Sequence, residues 1–158
     1  MVAKLKLDSH VCIHLNFEAC VTKDNIDDAP QRAGIYVAFV CKKLVDRDGY
    51  YVCSRIAYIG KAEGSDNLRK RIQQHFDMDH KRWTQVCQLS SDETFVYAYA
   101  IFEDSRLADV ESALIYENQP VANVQHKDKY NGNSWILWIT CEGNIGMLNP
   151  RFSVVRYI

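Results

Sequence analysis

The chain has 158 residues, 47% of them hydrophobic and 25% charged, with a formal net charge of −1 at pH 7. These values are typical of one globular domain with a full hydrophobic core, and they exclude a disordered or collagen-like chain. No apolar run approaches the roughly 20 residues that cross a bilayer, and residues 1–8 lack the hydrophobic region of a signal peptide. We therefore expect a cytoplasmic protein without a membrane partner.

Cysteine spacing argues against a structural metal or a redox centre. None of the six cysteines forms a C-x-x-C pair, and we expect reduced thiols. His10, Cys12 and His14 would share one face of a strand, which is a possible soft-metal cluster. Three ligands without a fourth, on a face away from the core, favour exposure to solvent instead.

The first half of the chain predicts strands. Residues 11–17 alternate apolar and polar side chains, with the period of two of a half-buried strand, and residues 24–32 form a polar connection. Residues 34–41 and 51–59 are rich in β-branched and aromatic residues and flank the turn signal Asp48-Gly49. We expect these two runs to form a hairpin.

A helix is predicted after the hairpin. Ser65 or Asp66 can cap it, and Leu68, Ile72 and Phe76 form an apolar stripe at a spacing of four residues. The pattern returns to a strand at residues 94–102.

A second helix follows this strand and precedes a β-rich tail. Asp104 or Ser105 can cap the helix, and Pro120 marks its end. Its buried stripe is made of Leu107, Val110 and Leu114. The tail contains two strand-like runs, residues 135–141 and 152–158, and we expect them to extend the sheet or cover its edge. Trp135 and Trp138 are then packing residues, with base stacking as a minor alternative.

Several polar residues are predicted to meet at one place. Tyr36 and Tyr58 lie on the two hairpin strands, so pairing would bring the phenols together. Gly60 would allow a sharp turn that carries Lys61. Arg71 is followed after four residues by a histidine, His75, on the same helical face.

The second helix contributes a candidate metal ligand. Glu111 follows Val110 and lies beside the apolar stripe. A carboxylate at the margin of the core is a plausible ligand for a hard cation.

At these residues the sequence resembles the GIY-YIG nuclease family. Five elements occur in the family's order: Gly34-Ile35-Tyr36, Tyr58-Ile59-Gly60 followed by Lys61-Ala62, Asn67 to Arg71, Glu111 to Ile115, and Pro120-x-x-Asn123. They cover residues 33–123, and the stretch 58–71 is most similar to the nuclease domain of the bacterial excision-repair incision subunit. The loop between Lys61 and Asn67 is longer than in that enzyme, and residues 44–49 resemble an insertion.

The resemblance implies an α+β fold with a small central antiparallel β-sheet flanked by helices. Within a single domain of residues 1–158, the nuclease core would span residues 33–123, with β extensions at 1–30 and 131–158. It also implies a metal-dependent endonuclease that hydrolyses phosphodiester bonds in DNA with one divalent cation, Mg²⁺ or Mn²⁺.

The resemblance also implies roles for single residues. Glu111 would hold the metal, Arg71 would stabilise charge on the reacting phosphate, and Asn123 would orient the phosphate or the site. His75 and, less specifically, His80 match positions where some homing-endonuclease relatives carry histidines. Phosphodiester hydrolysis develops negative charge on phosphate oxygens, so a cationic clamp with a metal suits this chemistry.

Tyr58 or Tyr36 would position or deprotonate the attacking water, supported by Lys61. A tyrosine with an ordinary pKa of about 10 is a poor base at neutral pH. We expect Lys61, Arg71 and the metal to lower that pKa, with Tyr58 as the base.

Four further basic residues predict a phosphate track beside the site: Arg69, Lys70, Lys81 and Arg82. An ordinary charged helix face is the alternative interpretation of this cluster, but its crowding around the proposed site favours a phosphate track. Because nucleic-acid-binding surfaces are usually basic, a net charge of −1 requires the contact to be local or supplied by a protein partner or a homodimer.

Two other functions remain open on the sequence. One is a nucleic-acid-binding module that keeps the fold but does not cleave, or cleaves only within an assembly. The other is a restriction or mobile-element enzyme whose terminal extensions and dimerisation provide specificity.

Overall fold

The computed structural model describes residues 10–156, which form an α+β structure. The strands are β1 His10–Val21, β2 Gly34–Lys43, β3 Tyr51–Ala62, β4 Glu93–Ile101, β5 Ile136–Gly143 and β6 Arg151–Val155. The helices are α1 Leu68–Met78, α2 His80–Val86 and α3 Leu107–Asn118, and a 3₁₀ segment spans Lys23–Asp28. The predicted α+β class is confirmed.

The sheet is larger than the sequence predicts, and it is mixed. Its six strands lie in the order β3-β2-β4-β1-β5-β6. All neighbours pair antiparallel except β1 and β5, which run parallel from His10↔Ile136 to Phe17↔Gly143. The tail strands therefore extend the sheet beyond β1, which was one of the two expectations. Strand β3 forms one edge of the sheet, and residues 121–123 hydrogen-bond its outer side.

The predicted hairpin is confirmed, with Tyr36 opposite Gly60. Gly49 has φ +81° in the connecting turn, a conformation that favours glycine. Gly60 serves a different purpose from the predicted turn, because it lies inside β3. A Cβ atom there would collide with the Tyr36 hydroxyl and lie 2.9 Å from Cε1 of Tyr58. The glycine thus makes room for the tyrosines.

The two faces of the sheet pack against different helices. On one face, Ile35, Val37 and Phe39 join a core that includes the apolar side of α3. On the other face, Tyr36 and Ala38 join a second core with α1 and α2. Because the side chains of a strand alternate, a single strand supplies both cores.

The two predicted helices exist, but their starts differ from the prediction. Asn67 caps α1 by accepting a hydrogen bond from the Lys70 N–H at 3.1 Å, in place of Ser65 or Asp66. Helix α3 begins after Arg106, and Asp104 accepts the Arg106 N–H at 2.9 Å. Both Asn and Asp satisfy backbone donors at helix starts.

Helix α2 was not predicted, nor was the 3₁₀ segment within the polar connection. Helix α2 has seven residues and buries only Trp83. A single buried residue gives no periodic signal.

Helix α3 also anchors the chain that leads to β5. Asp109 is buried and accepts hydrogen bonds from the N–H groups of Asn133 and Ser134, each at 2.9 Å. The Ser112 hydroxyl accepts the Asn131 N–H at 3.0 Å.

None of the helices in residues 10–156 is both long and apolar enough to cross a membrane.

The outer face of β1 is open to solvent, as the sequence favours. Cys12 and His14 are exposed, and His14 Nε2 lies 3.3 Å from a carboxylate oxygen of Glu142. All six cysteines are free thiols.

Candidate active site

A polar cavity of about 260 Å³ opens at the β3 edge of the sheet. It collects five residues that the sequence singles out for catalysis, together with two further carboxylates. Its lining residues are Tyr36, Tyr58, Lys61, Glu63, Asp66, Arg71 and Glu111. Strands β2 and β3 supply the tyrosines, α1 supplies Arg71, and Glu111 reaches the cavity from α3 on the opposite face of the sheet.

Tyr36 and Tyr58 lie together, as the hairpin predicts. Tyr36 pairs with Gly60 and Tyr58 pairs with Ala38, so the phenols are diagonal neighbours on one face with ring centroids 6.3 Å apart. Their environments differ. Tyr36 is 0% exposed and forms the inner wall of the cavity, whereas Tyr58 is half-buried at its opening.

A chain of two short hydrogen bonds runs from Tyr36 away from the cavity. The Tyr36 hydroxyl lies 2.7 Å from His75 Nε2, and His75 Nδ1 lies 2.7 Å from Asp79 Oδ2. His75 is buried, at 4% exposure. The predicted site residue His75 therefore contacts the first tyrosine, and it lies behind that residue, away from the substrate side.

An aromatic layer that the sequence did not identify supports this chain. The Trp83 ring lies 4.7 Å from both the Tyr58 and the His75 rings, measured between centroids. His80 Nε2 lies 2.6 Å from the hydroxyl of Tyr97, so His80 packs into the fold and is not a loop surface residue. Asp79 was also missed, although the sequence continues the spacing of four residues from Arg71 to His75 and on to Asp79.

Burial dominates the protonation of these groups. It raises the pKa of both Tyr36 and Tyr58, and Arg71 opposes this with a smaller lowering effect. The expected lowering by Arg71 is present but is outweighed by burial, and Lys61 is not among the groups that shift the pKa of either tyrosine. Burial also lowers the pKa of His75, against the raising effect of Asp79. The resting state thus has neutral phenols and a neutral imidazole.

Glu111 is the carboxylate that best fits a divalent cation. It is half-buried, and its Oε1 accepts the backbone N–H of Lys61 at 3.1 Å, which holds one of its two oxygens in place. Burial raises its pKa, so a bound cation would favour the ionised form.

Magnesium retains several waters and needs only one or two protein carboxylates, and Glu111 at a polar cavity suits that preference. Within residues 10–156, no group of three or more Cys, His, Asp or Glu side chains is arranged to hold a metal.

The two cations of the cavity are held differently. Lys61 Nζ forms an ion pair with Glu63, which lines the same cavity. Arg71 is half-buried and donates to Gln74 Oε1 at 2.9 Å. Because Arg71 has five N–H donors in a planar fork, this bond leaves donors for an anion in the cavity.

Asn123 fixes the strand that carries the site. Its Oδ1 accepts the N–H of Ile59 at 2.9 Å, and its Nδ2 donates to the carbonyl of Ile59 at 2.9 Å. With both ends of its amide engaged by β3, Asn123 orients the site through the backbone beside Tyr58.

A second cavity of about 340 Å³ adjoins the first. Tyr58 and Glu111 line both, and the second also contains Arg82 and Gln125. Arg82 is therefore the member of the predicted basic cluster that lies next to the site.

The other basic residues of that cluster line neither of these two cavities. Arg69 donates to the carbonyls of Ala29 at 2.8 Å and Asp27 at 2.7 Å, which ties α1 to the 3₁₀ segment. Lys70 pairs with Asp66 at 2.8 Å, and Lys81 is exposed on α2.

No protein-family model matches the chain, and no curated protein or solved structure matches it significantly. The five motifs and the geometry of the cavity therefore carry the functional argument.

Proposed function

We propose that the protein is a metal-dependent endonuclease of the GIY-YIG type that hydrolyses phosphodiester bonds in DNA. One observation carries the proposal: residues from four of the five motifs, separated by up to 75 positions, line a single polar cavity. The fifth motif supplies Asn123, which hydrogen-bonds the strand beneath that cavity. The hairpin of β2 and β3, with α1 and α3 packed against it, supports the proposal because it brings these motifs to one place.

The cavity suits a phosphate group. Arg71, with its guanidinium donors, and Glu111, with its carboxylate, both line it. A divalent cation bound at Glu111 would stabilise charge that develops on the phosphate oxygens. Arg71 stabilises the same charge with donors fixed before the reaction begins, which is where such electrostatic stabilisation is largest.

Tyr36 is better placed than Tyr58 to accept the proton of the attacking water. A neutral phenol can accept a proton only if it gives away its own, and Tyr36 has His75 Nε2 at 2.7 Å to receive it. Within the described residues the Tyr58 hydroxyl makes no hydrogen bond to a histidine, although the carboxylate of Glu111 lines the same cavity. We therefore revise the sequence-based hypothesis: Tyr36 takes the proton, and Tyr58 holds the water from the open side of the cavity.

The second cavity provides a place where the DNA strand can continue beyond the reacting phosphate. Arg82 lies there beside Tyr58 and Glu111, so a neighbouring phosphate can be neutralised next to the reacting one. Such a small set of contacts gives weak, nonsequence-specific binding, which agrees with the net charge of −1. A partner or a second copy of the chain would add affinity and specificity.

The experiment is cleavage of supercoiled plasmid by the purified protein, with Mg²⁺, with Mn²⁺ and with a chelator. We expect nicked or linear product only with a metal. Glu111→Gln should lower the rate by about 10³-fold or more, because the charge stabilisation of a bound metal is worth several kcal/mol. Glu117→Gln is the matched control: it lies on α3 and its Oε1 accepts from Asn149 at 2.8 Å, away from the cavity.

Each result has a distinct meaning. Cleavage by the wild type and the Glu117 variant, but not by the Glu111 variant, supports the proposal if melting curves show that all three fold. Metal-independent cleavage, or equal rates in both variants, contradicts it. Binding of DNA without any cleavage would instead favour the non-cleaving module.

A further inference from the structure

We infer that Asp79 is a positioning residue of the proposed reaction: it fixes the His75 tautomer that accepts the proton of Tyr36. This inference rests on the proposed nuclease function. It concerns a residue outside the five motifs, and the two hydrogen bonds that join Asp79, His75 and Tyr36 carry it.

The direction of each bond follows from the chemistry of its partners. An ionised carboxylate only accepts hydrogen bonds, so His75 Nδ1 must carry a proton that it donates to Asp79 Oδ2. In a neutral imidazole, Nε2 is then unprotonated and can only accept. The Tyr36 hydroxyl must therefore donate to Nε2. The oxygen of Tyr36 keeps its lone pairs for a donor in the cavity.

Proton transfer along this chain balances without another reactant. The water proton moves to the Tyr36 oxygen while the proton of Tyr36 moves to His75 Nε2. The resulting imidazolium is stabilised by Asp79, as the carboxylate of a Ser-His-Asp triad stabilises its histidine. The water oxygen bonds to phosphorus as the P–O bond to the leaving oxygen breaks. The leaving oxygen takes a proton from solvent, and His75 returns its proton to solvent through Tyr36.

The Asp79 side chain is not explained by helix capping. Asp79 is the residue between α1 and α2, yet its side chain makes no capping hydrogen bond to α2. Its carboxylate instead turns to the ring of His75, one helical turn earlier.

Several charged or titratable groups surround His75. Burial lowers its pKa, and Arg71 from α1 and Arg82 from α2 lower it further, whereas Asp79 raises it. The remaining titratable groups near the ring are Tyr36, Tyr58, Tyr97 and His80. Asp79 is thus the group that raises the proton affinity of His75. Replacing Asp79 with a neutral residue should therefore lower the pKa of His75.

The experiment is the single-turnover cleavage rate of Asp79→Asn from pH 4 to 9, with Asp77→Asn as the matched control. Asp77 lies on α1, is exposed, and contacts Gln73 at 3.1 Å. The Asp79 variant should be slower by about 10²-fold or more at the plateau. The fall of the cleavage rate at acidic pH, which we call the acid limb, is set by protonation of His75. In the Asp79 variant this acid limb should move to lower pH. Asp77→Asn should match the wild type in both.

A second variant excludes a merely structural role. If Asp79 acts through Tyr36, Asp79→Asn combined with Tyr36→Phe should be no slower than Tyr36→Phe alone. Additive losses, or a lower plateau with an unmoved acid limb, would overturn the inference. A wild-type profile in Asp79→Asn would also overturn it while leaving the nuclease proposal intact. If the wild type cleaves no faster than Glu111→Gln, both proposals fail.

Discussion

The two faces of the sheet bury different kinds of side chain. The face covered by α3 is filled mainly by aliphatic side chains and Phe, among them Ile35, Val37 and Leu137. The face covered by α1 and α2 instead buries phenols against histidines, with hydrogen bonds of 2.7 Å from Tyr36 to His75 and 2.6 Å between Tyr97 and His80.

This difference separates stability from chemistry. Aliphatic packing stabilises by removing surface from water and does not depend on protonation. A buried hydroxyl or imidazole costs free energy unless it has a hydrogen-bond partner, so these paired phenols and imidazoles depend on one another and on their protonation. The cavity opens on the polar face, and α3 on the aliphatic face contributes Glu111 around the edge of β3.

The largest effect on stability is expected from the aliphatic face. Leu137→Ala removes a fully buried side chain from β5 and should lower the free energy of unfolding by about 2–5 kcal/mol. Because β5 lies away from the cavity, the cleavage rate of the folded fraction should stay unchanged. Chemical denaturation and single-turnover kinetics at low temperature measure the two quantities. If the cleavage rate of the folded fraction falls together with the free energy of unfolding, packing on the aliphatic face affects the site on the other face.

The pH dependence of cleavage separates the two tyrosines. If Tyr36 hands its proton to His75, the wild-type rate should rise only through the pKa of His75, which burial places below its ordinary value of 6.5, and then level off. If Tyr58 acts alone as a preformed phenolate, the rate should rise about tenfold per pH unit up to pH 10 or beyond, because its pKa is raised. A rate profile from pH 5 to 10 distinguishes them.

The polar face should also respond to acid. Burial lowers the pKa of His80 from 6.5 to about 4, so between these values the unfolded chain binds a proton that the folded protein does not. Stability should therefore fall as the pH drops from 6.5 to 4. His80→Gln should remove this part of the stability loss. The drop in Tm between pH 6.5 and pH 4 should then be smaller by a few degrees than in the wild type. Parallel curves for the two proteins would contradict the assignment.

The smallest effect concerns DNA binding. Arg82→Ala should weaken binding several-fold and reduce the salt slope by about 1, the value for one phosphate contact. Lys81→Ala is the control on the same helix, because Lys81 is exposed and does not line the second cavity. Titrations of a labelled duplex at several salt concentrations test this pair. Equal losses in both variants would indicate general charge attraction instead of a defined contact.

The sequence predicted the elements whose pattern is local. Tyr36 and Tyr58 were found because a hairpin brings its own strands together, and Glu111 because it borders a periodic stripe. The parallel pairing of β1 with β5 was not predicted, since it joins segments more than 100 residues apart. The role of Gly60 was misjudged for a similar reason, because its space is filled by the ring of Tyr36 on another strand.

The predicted site was incomplete because some of its residues are brought together only by tertiary packing. Trp83 lies on a helix too short to show a period, and its contacts with Tyr58 and His75 depend on tertiary packing. Arg69 and Arg71 are two residues apart and so lie on different sides of α1. That spacing could have separated the residue that anchors the 3₁₀ segment from the one that faces the cavity.

The most direct test of the central claim is the same substitution at two tyrosines of one sheet face. Tyr36 and Tyr97 are both buried and both lie within hydrogen-bond distance of a histidine, but only Tyr36 lines the cavity with Glu111. We predict that Tyr36→Phe lowers the single-turnover cleavage rate by 10²–10⁴-fold, as expected for loss of a general base. Tyr97→Phe should leave the rate within a few-fold of the wild type and lower the stability by about 1–3 kcal/mol. Equal rates in the two variants would contradict the claim that the chemistry takes place at Tyr36.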